Sequence, residues 1–233
     1  MSPTPATPKY WEDIYAAETR PGWDMGGPTP LLPELLDRAR EAGLALGPSL
    51  AVPGCGFGHD AAELARRGYL ATGVDFAPAA LERARERYGN LARWVREDWF
   101  LGTRTFDGIF DHTCFTAVAP ERREAYLAAC ARRLRPGGAW LAACFHQVAR
   151  PDGPPYPMTM DEVRALAEPW FDLLHLGPAQ RSHPRRAGRE FLVVARRRAG
   201  RGTFPPGPAA VAGTAPPDGE PARDRILFPF EHD

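Results

Sequence analysis

Between Ser49 and Phe145 short apolar runs alternate with longer stretches whose apolar residues recur every three or four positions. SLAV (49–52), LATGVD (70–75), ARWVRED (92–98), FDGIFDH (106–112) and AWLAACF (139–145) read as strands. Helices are predicted between them: Asp60 to Arg67, closed by Gly68; Pro78 to Tyr88, with proline in its first turn; and one through EAYLAACARRL. RPGG (135–138) is predicted to turn the chain into the fifth strand. Strands that alternate with helices of this length imply βαβ units and a parallel, doubly wound α/β sheet. Two helices precede it, Tyr10 to Glu18 and Pro33 to about Ala42, separated by the Pro/Gly-punctuated RPGWDMGGPTP. After a helix near Asp161 to Ala167 come FDLLHL (171–176) and EFLVVARR (190–197), with only a loop between them. Parallel strands need a longer crossover, so these two form an antiparallel hairpin that completes a mostly parallel seven-stranded sheet.

Composition adds boundaries. The chain has 233 residues, 44% of them hydrophobic, enough for one domain core over residues 1–198. Residues 199–233 are rich in Pro, Gly and Ala and are expected to be disordered, as are the first eight. Lys+Arg and Asp+Glu are balanced at 29 each, so no global field attracts nucleic acid or an acidic membrane, and a small-molecule partner is expected. Cys55, Cys114, Cys130 and Cys144 form no CxxC pair or disulfide-like spacing, no signal-peptide pattern opens the chain, and no apolar run reaches the length of a membrane span. Those features point to a soluble protein of the reducing cytoplasm. No His/Cys/Asp cluster has metal-ligand spacing.

Chemistry enters at LAVPGCGFGHD (50–60), which follows the first strand. Gly54, Gly56 and Gly58 lie where a doubly wound sheet contacts its ligand, in the first βα turn. The spacing is G-x-G-x-G, not the dinucleotide G-x-G-x-x-G. Asp75, closing the second strand, is placed to accept hydrogen bonds from both hydroxyls of a ribose. A tight structural turn or a nicotinamide oxidoreductase would use the same features.

Further motifs narrow the choice. The chain's WEDIY and PGWDMGGPTPLL, VPGCGFGHDAAELARRGYLATGVDFAPAALERA, REDWF, FDGIFDHTCFTAVAPERREAY, LRPGGAWLAACF and GPPYPMTMDEV resemble the thiopurine methyltransferase superfamily. Among its branches they are most similar to the halide and thiol methyltransferases, from about Tyr10 to Arg197. The resemblance implies a class I, Rossmann-like methyltransferase that uses S-adenosylmethionine. It also implies roles for particular residues. Trp11, Tyr15 and Trp23 would form an aromatic lid over the methionine part of the cofactor, although Tyr15 stands where that branch has tryptophan. Gly54, Gly56 and Asp75 would bind the cofactor, Asp98 would read its adenine amino group with Trp99 or Phe100 against the ring, and Asp111 would lie close to its amino group and reacting centre. The same aromatics could be core anchors, and Asp98 or Asp111 could be ordinary caps.

The acceptor is the remaining question. An Asp/Asn-Pro-Pro-aromatic motif after the fourth strand marks nucleic-acid amino methylation, but DHTCF stands there. GPPY (153–156) instead follows the fifth strand, where the resemblance implies residues lining a substrate pocket; Phe115, Tyr156 and Arg123 are candidates for that pocket, and Arg123 could equally lie on a solvated helix face. No nucleophile, base and orienter set is evident, so catalytic residues are unassigned and a soft acceptor is expected: a thiol, sulfide, thiocyanate or halide, with a thiopurine or other small-molecule methyltransferase, or a catalytically silent cofactor-binding protein, as the alternative. His112 beside Asp111 could assist thiol deprotonation or merely pack, and Cys114 reads as an inert thiol.

Overall fold

The structure, a computed structural model, describes residues 8–17, 21–149 and 152–199. The expectations of a loose N-terminus and a disordered tail fall on residues outside these ranges, apart from Pro8, which opens a helix, and Ala199. Two helices, α1 (Pro8–Ala16) and α2 (Leu31–Glu41), precede β1 (Ser49–Pro53), α3 (His59–Arg66), β2 (Leu70–Asp75), α4 (Pro78–Tyr88) and β3 (Arg93–Arg96). Then follow β4 (Phe106–His112), a short α5 (Cys114–Ala117), a 3₁₀ turn (Pro120–Arg122), α6 (Arg123–Arg132), β5 (Leu134–Phe145), α7 (Met160–Ala167), β6 (Phe171–Pro178) and β7 (Glu190–Arg197).

The seven strands form one sheet in the order β3-β2-β1-β4-β5-β7-β6. β1 pairs in parallel with both β2 and β4, so the chain's winding reverses between β1 and β4, the place where doubly wound sheets bind ligands. β7 enters antiparallel between β5 and β6. The expected terminal hairpin is therefore present, and because β6 runs with β1–β5, the β6–β7 loop opens on the same edge as their carboxyl ends.

Alternation along the inner strands divides the core in two. Trp140, Ala142 and Cys144 of β5 pack with α6 and α7 on one face; Ala139, Leu141 and Ala143 pack with α2 and α3 on the other. Each fully buried Leu or Phe contributes about 1.5–3 kcal/mol. α7 starts at a capping box: Thr159 Oγ1 accepts from Glu162 N at 3.1 Å, and Glu162 Oε2 accepts from Thr159 N at 2.7 Å.

Two boundaries differ from expectation. RPGG does not precede β5 but lies inside it, the register slipping between the Phe106–Leu134 and Gly108–Ala139 pairs. Gly137, at φ 77°, absorbs the irregularity. β3 ends at Arg96, which leaves Asp98 in the loop beyond it.

Candidate active site

The carboxyl ends of the strands enclose a cavity of about 250 Å³. Its floor is the loop after β1. Gly54 and Gly56 take φ values of 55° and 52°, a region that side chains avoid. A Cβ on Gly54 would lie 2.8 Å from Cys114 Sγ, and one on Gly56 would lie 2.9 Å from Tyr15 Oη. The loop thus needs glycine to fit its own neighbours, and in doing so it presents bare backbone to the cavity.

Asp75 fastens that loop. Its Oδ2 accepts from Gly56 N at 2.9 Å and its Oδ1 from Ala77 N at 3.0 Å. The side chain is buried, and desolvation pushes its pKa up to about 6 against the pull of those backbone donors. It still lines the cavity, beside Phe76. Asp98, Trp99 and Phe100, in the loop after the neighbouring β3, line it as well. Asp98 Oδ1 accepts from Phe100 N at 2.9 Å, a local turn bond. Trp99 is wedged in place, with the Arg133 guanidinium 4.0 Å from its ring centre and its Nε1 donating to Cys130 Sγ at 3.3 Å.

The expected aromatic segment converges on the cavity. Trp11 and Tyr15, one helical turn apart on α1, both meet Trp23 edge-on, at centroid distances of 5.3 and 5.9 Å. Phe57 joins them, 5.5 Å from Tyr15. The stretch around Trp23 has no regular structure and is held by side chains from distant elements. Arg186 Nη2 donates to Trp23 O at 2.7 Å, His59 Nε2 meets Asp24 Oδ1 at 3.0 Å, and Thr29 N donates to Asp60 Oδ1 at 2.7 Å. Tyr88 Oη closes the other side of His59 at 2.6 Å, and burial lowers the pKa of that imidazole.

Beyond β4 the chain turns sharply. Thr113 has φ 65°, an uncommon conformation for a β-branched residue and one found where backbone strain serves a site. His112, Thr113 and Cys114 line the cavity, whereas Asp111 does not. Asp111 is fully buried, accepting from Phe115 N at 3.1 Å and Tyr126 Oη at 2.8 Å, and burial pushes its pKa up to about 6. It is placed as a cap of α5. Asp111→Ala orphans both donors, so a loss of about 2–4 kcal/mol is expected in chemical denaturation. S-adenosylhomocysteine affinity of the folded protein should change by less than about threefold, under 1 kcal/mol. A larger loss in calorimetry would return Asp111 to the cofactor.

The other expected acceptor residues do not line the cavity. Phe115 is wholly buried, stacked on Tyr126 at 5.5 Å. Arg123 is 3% exposed and donates to Tyr156 O at 3.3 Å and Pro157 O at 3.2 Å, holding the loop after β5. Tyr156 turns its ring against Gly153, and it is Pro154 and Pro155 that face the cavity. Neither Arg123 nor Tyr156 is among the lining residues.

Two arginines line the cavity, Arg122 and, from the β6–β7 loop, Arg186, and sequence reasoning missed both. Arg186 sits over Phe145, 5.3 Å from the ring centre. Its Nη1 is 2.9 Å from His112 Nε2 and 3.3 Å from Glu190 Oε1. A guanidinium has no acceptor, so His112 Nε2 must accept and the imidazole proton sits on Nδ1, facing Asp60 Oδ2 at 2.9 Å. Asp60 is held below the usual carboxylate range: burial alone would raise it, but His112 and the Thr29 N–H outweigh that. Among the described residues no group of three or more His, Cys, Asp or Glu could hold a metal ion, and no helix is long and apolar enough to cross a membrane.

Comparison with known proteins agrees with this geometry. The thiopurine S-methyltransferase (TPMT) family matches residues 6–195. Thiocyanate methyltransferase 1 of Arabidopsis thaliana is 33% identical over 190 residues, which cover 78% of this chain and 82% of that protein. Probable thiol methyltransferase 2 of the same plant is 32% identical over 166 residues, 68% of this chain and 71% of that one. Among solved structures, the N-methyltransferase NodS of Bradyrhizobium japonicum in complex with S-adenosylhomocysteine shares the fold with a TM-score of 0.63, at 16% identity over 82% of this chain and 98% of its own. The cavity suits S-adenosylmethionine: bare backbone at Gly54 and Gly56, the buried Asp75 carboxylate, and the aromatic rings of Trp11, Tyr15 and Trp23 all line it. The chain belongs to the thiopurine S-methyltransferase family and is an S-adenosylmethionine-dependent methyltransferase.

Proposed function

We propose that the acceptor is a small soft nucleophile: a thiol, hydrosulfide, thiocyanate or iodide. The carrying observation is that Arg186 gives the cavity a buried cation suited to an anion, while the imidazole beside it, His112, gives its lone pair to that guanidinium and has none left to deprotonate a neutral acceptor. Arg186 supplies positive charge between Trp23, Phe145 and the Asp60–His112 pair. The cofactor supplies an electrophilic methyl on a sulfonium. The protein's task is then to align the acceptor opposite the leaving sulfur and to exclude water, which a poorly hydrated anion tolerates best.

Two thiols in the wall do not compete. Burial keeps Cys55 and Cys114 well above the ordinary thiol pKa, so neither is a thiolate near neutral pH. The four cysteines are free, which suits a reducing compartment such as the cytoplasm. The names of the two plant relatives, a thiocyanate and a thiol methyltransferase, support the same acceptor class. Zero net charge favours a small molecule over nucleic acid.

The test is a screen with methyl-labelled S-adenosylmethionine against thiocyanate, iodide, hydrosulfide, alkyl and aryl thiols and a thiopurine, with catechols, amines and carboxylic acids in parallel. Turnover is expected in the first group. Activity confined to the second would overturn the reading.

A further inference from the structure

The contact between His112 and Arg186 works for one protonation state only. Nη1 of Arg186 donates to His112 Nε2 at 2.9 Å, and the Nδ1 proton of His112 goes to Asp60. A proton added at Nε2 would set two donors and two positive charges face to face. The guanidinium has another place to go. Glu190 reaches it with one oxygen, at 3.3 Å, while its second oxygen, Oε2, is buried without a partner. An arginine turned toward Glu190 could bind both oxygens in the planar fork that a carboxylate matches best. It would then leave His112 and the Trp23 carbonyl.

We propose that His112 is a positioning residue: neutral, it holds Arg186 toward the acceptor and the Trp23 segment; protonated, it releases Arg186 to Glu190. The proposal rests on the soft-anion reading above. The groups that face this switch are Asp60, with His59 beside it on α3; Arg186 on the β6–β7 loop; Glu190 at the start of β7; and Asp24 in the Trp23 segment, which reaches it through His59. On β5, the partner of His112 is the uncharged Ala143. Asp60 contributes by fixing the tautomer, since its other oxygen is committed to Thr29 N.

Thiocyanate and iodide do not titrate in the working range, so an acid limb in their kcat/KM reports the protein. The wild-type enzyme should lose activity on the acid side mainly through a rising acceptor KM. His112→Gln can still accept from Arg186 through its amide oxygen but cannot ionise; it should turn over at a reduced plateau with the acid limb gone. His112→Phe, with no acceptor, should raise the acceptor KM about tenfold or more across the whole pH range, while S-adenosylhomocysteine affinity stays within about threefold, which also shows that the variant is folded. An unchanged acid limb in His112→Gln, or an unchanged KM in His112→Phe, overturns the proposal. Should the wild type methylate none of the soft acceptors, the acceptor reading falls, and the imidazole ¹⁵N shifts of His112 still decide the relay. A bare Nε2 with a protonated Nδ1 at neutral pH is expected; the opposite tautomer overturns it.

Discussion

Asp75→Ala is expected to weaken S-adenosylhomocysteine binding about 10- to 100-fold by calorimetry, the loss of about 1.5–3 kcal/mol that follows when hydrogen bonds to a charged acceptor are removed. Asp75 closes β2, lines the cavity and is the only group that ties the β1 loop to the end of β2 through a side chain, by its bonds to Gly56 N and Ala77 N among the described residues. The variant should nonetheless fold. With a pKa raised to about 6, the ionised carboxylate already opposes folding above that pH, so removing the charge offsets part of the cost of the two orphaned N–H groups. The same raised pKa gives a second readout. Ribose hydroxyls donate to the carboxylate and favour its ionised form, so cofactor affinity should be full above pH 6 and fall about tenfold for each unit below it. Asp75→Asn should abolish that acid dependence. Wild-type-like affinity in Asp75→Ala, or a flat profile in the wild type between pH 7 and 5, would remove Asp75 from the ribose site.

The parts of this site that could be seen in the sequence are those set by local chemistry. Gly54 and Gly56 announce a turn that no side chain tolerates, and Asp75 ends an apolar run whose length places it at the strand's carboxyl end. The order of strands and helices likewise carried the fold, because β1, β2 and β4 are apolar enough to be central strands. What escaped depends on contacts between residues far apart in the chain. Arg186 lies 163 positions from Trp23 and 74 from His112, and it stands among several arginines between Arg181 and Arg189 that look alike until the β6–β7 loop is folded over the cavity. Phe57 and Asp60 follow the glycines in plain view, yet only the packing of Tyr15 on one and Thr29 on the other shows their use. The loop after β5 was legible as part of the pocket, but periodicity does not say which residues of an irregular loop face inward. Arg123 draws the Tyr156 and Pro157 carbonyls back toward α6, and Pro154 and Pro155 are left at the wall. RPGG failed as a strand boundary for a related reason: the sheet accommodated the irregularity by slipping register, which local turn propensity cannot foresee.

Arg186→Met is expected to lower kcat/KM for thiocyanate by about 30- to 1,000-fold, the 2–4 kcal/mol typical of losing one partner of a desolvated, hydrogen-bonded charge pair. The residue is 7% exposed, and its guanidinium is shared among His112, Glu190 and the Trp23 carbonyl above the Phe145 ring. Methionine fills much of the same volume, so the β6–β7 loop should keep its packing while the charge disappears. Two contributions separate experimentally. Loss of the bond to Trp23 O loosens a segment that lines the cavity, and one neutral-acceptor bond is worth about 1 kcal/mol, or about fivefold in S-adenosylhomocysteine affinity. Any decrease in kcat/KM beyond that belongs to the acceptor. Arg186→Lys should fall between the two enzymes, since a single ammonium cannot span both His112 Nε2 and Trp23 O as the planar guanidinium does. With an alkyl thiol, the wild-type rate should go on rising with pH through the thiolate fraction, whereas with thiocyanate it should level off once the protein's own groups have titrated. Arg186→Met should depress the thiolate-dependent rate and the thiocyanate rate alike, because the guanidinium recognises charge and not the atom that carries it. If kcat/KM for thiocyanate stayed within the fivefold that the Trp23 segment explains, Arg186 would be a latch for Trp23 alone, and the anion would have to be held by some other part of the cavity.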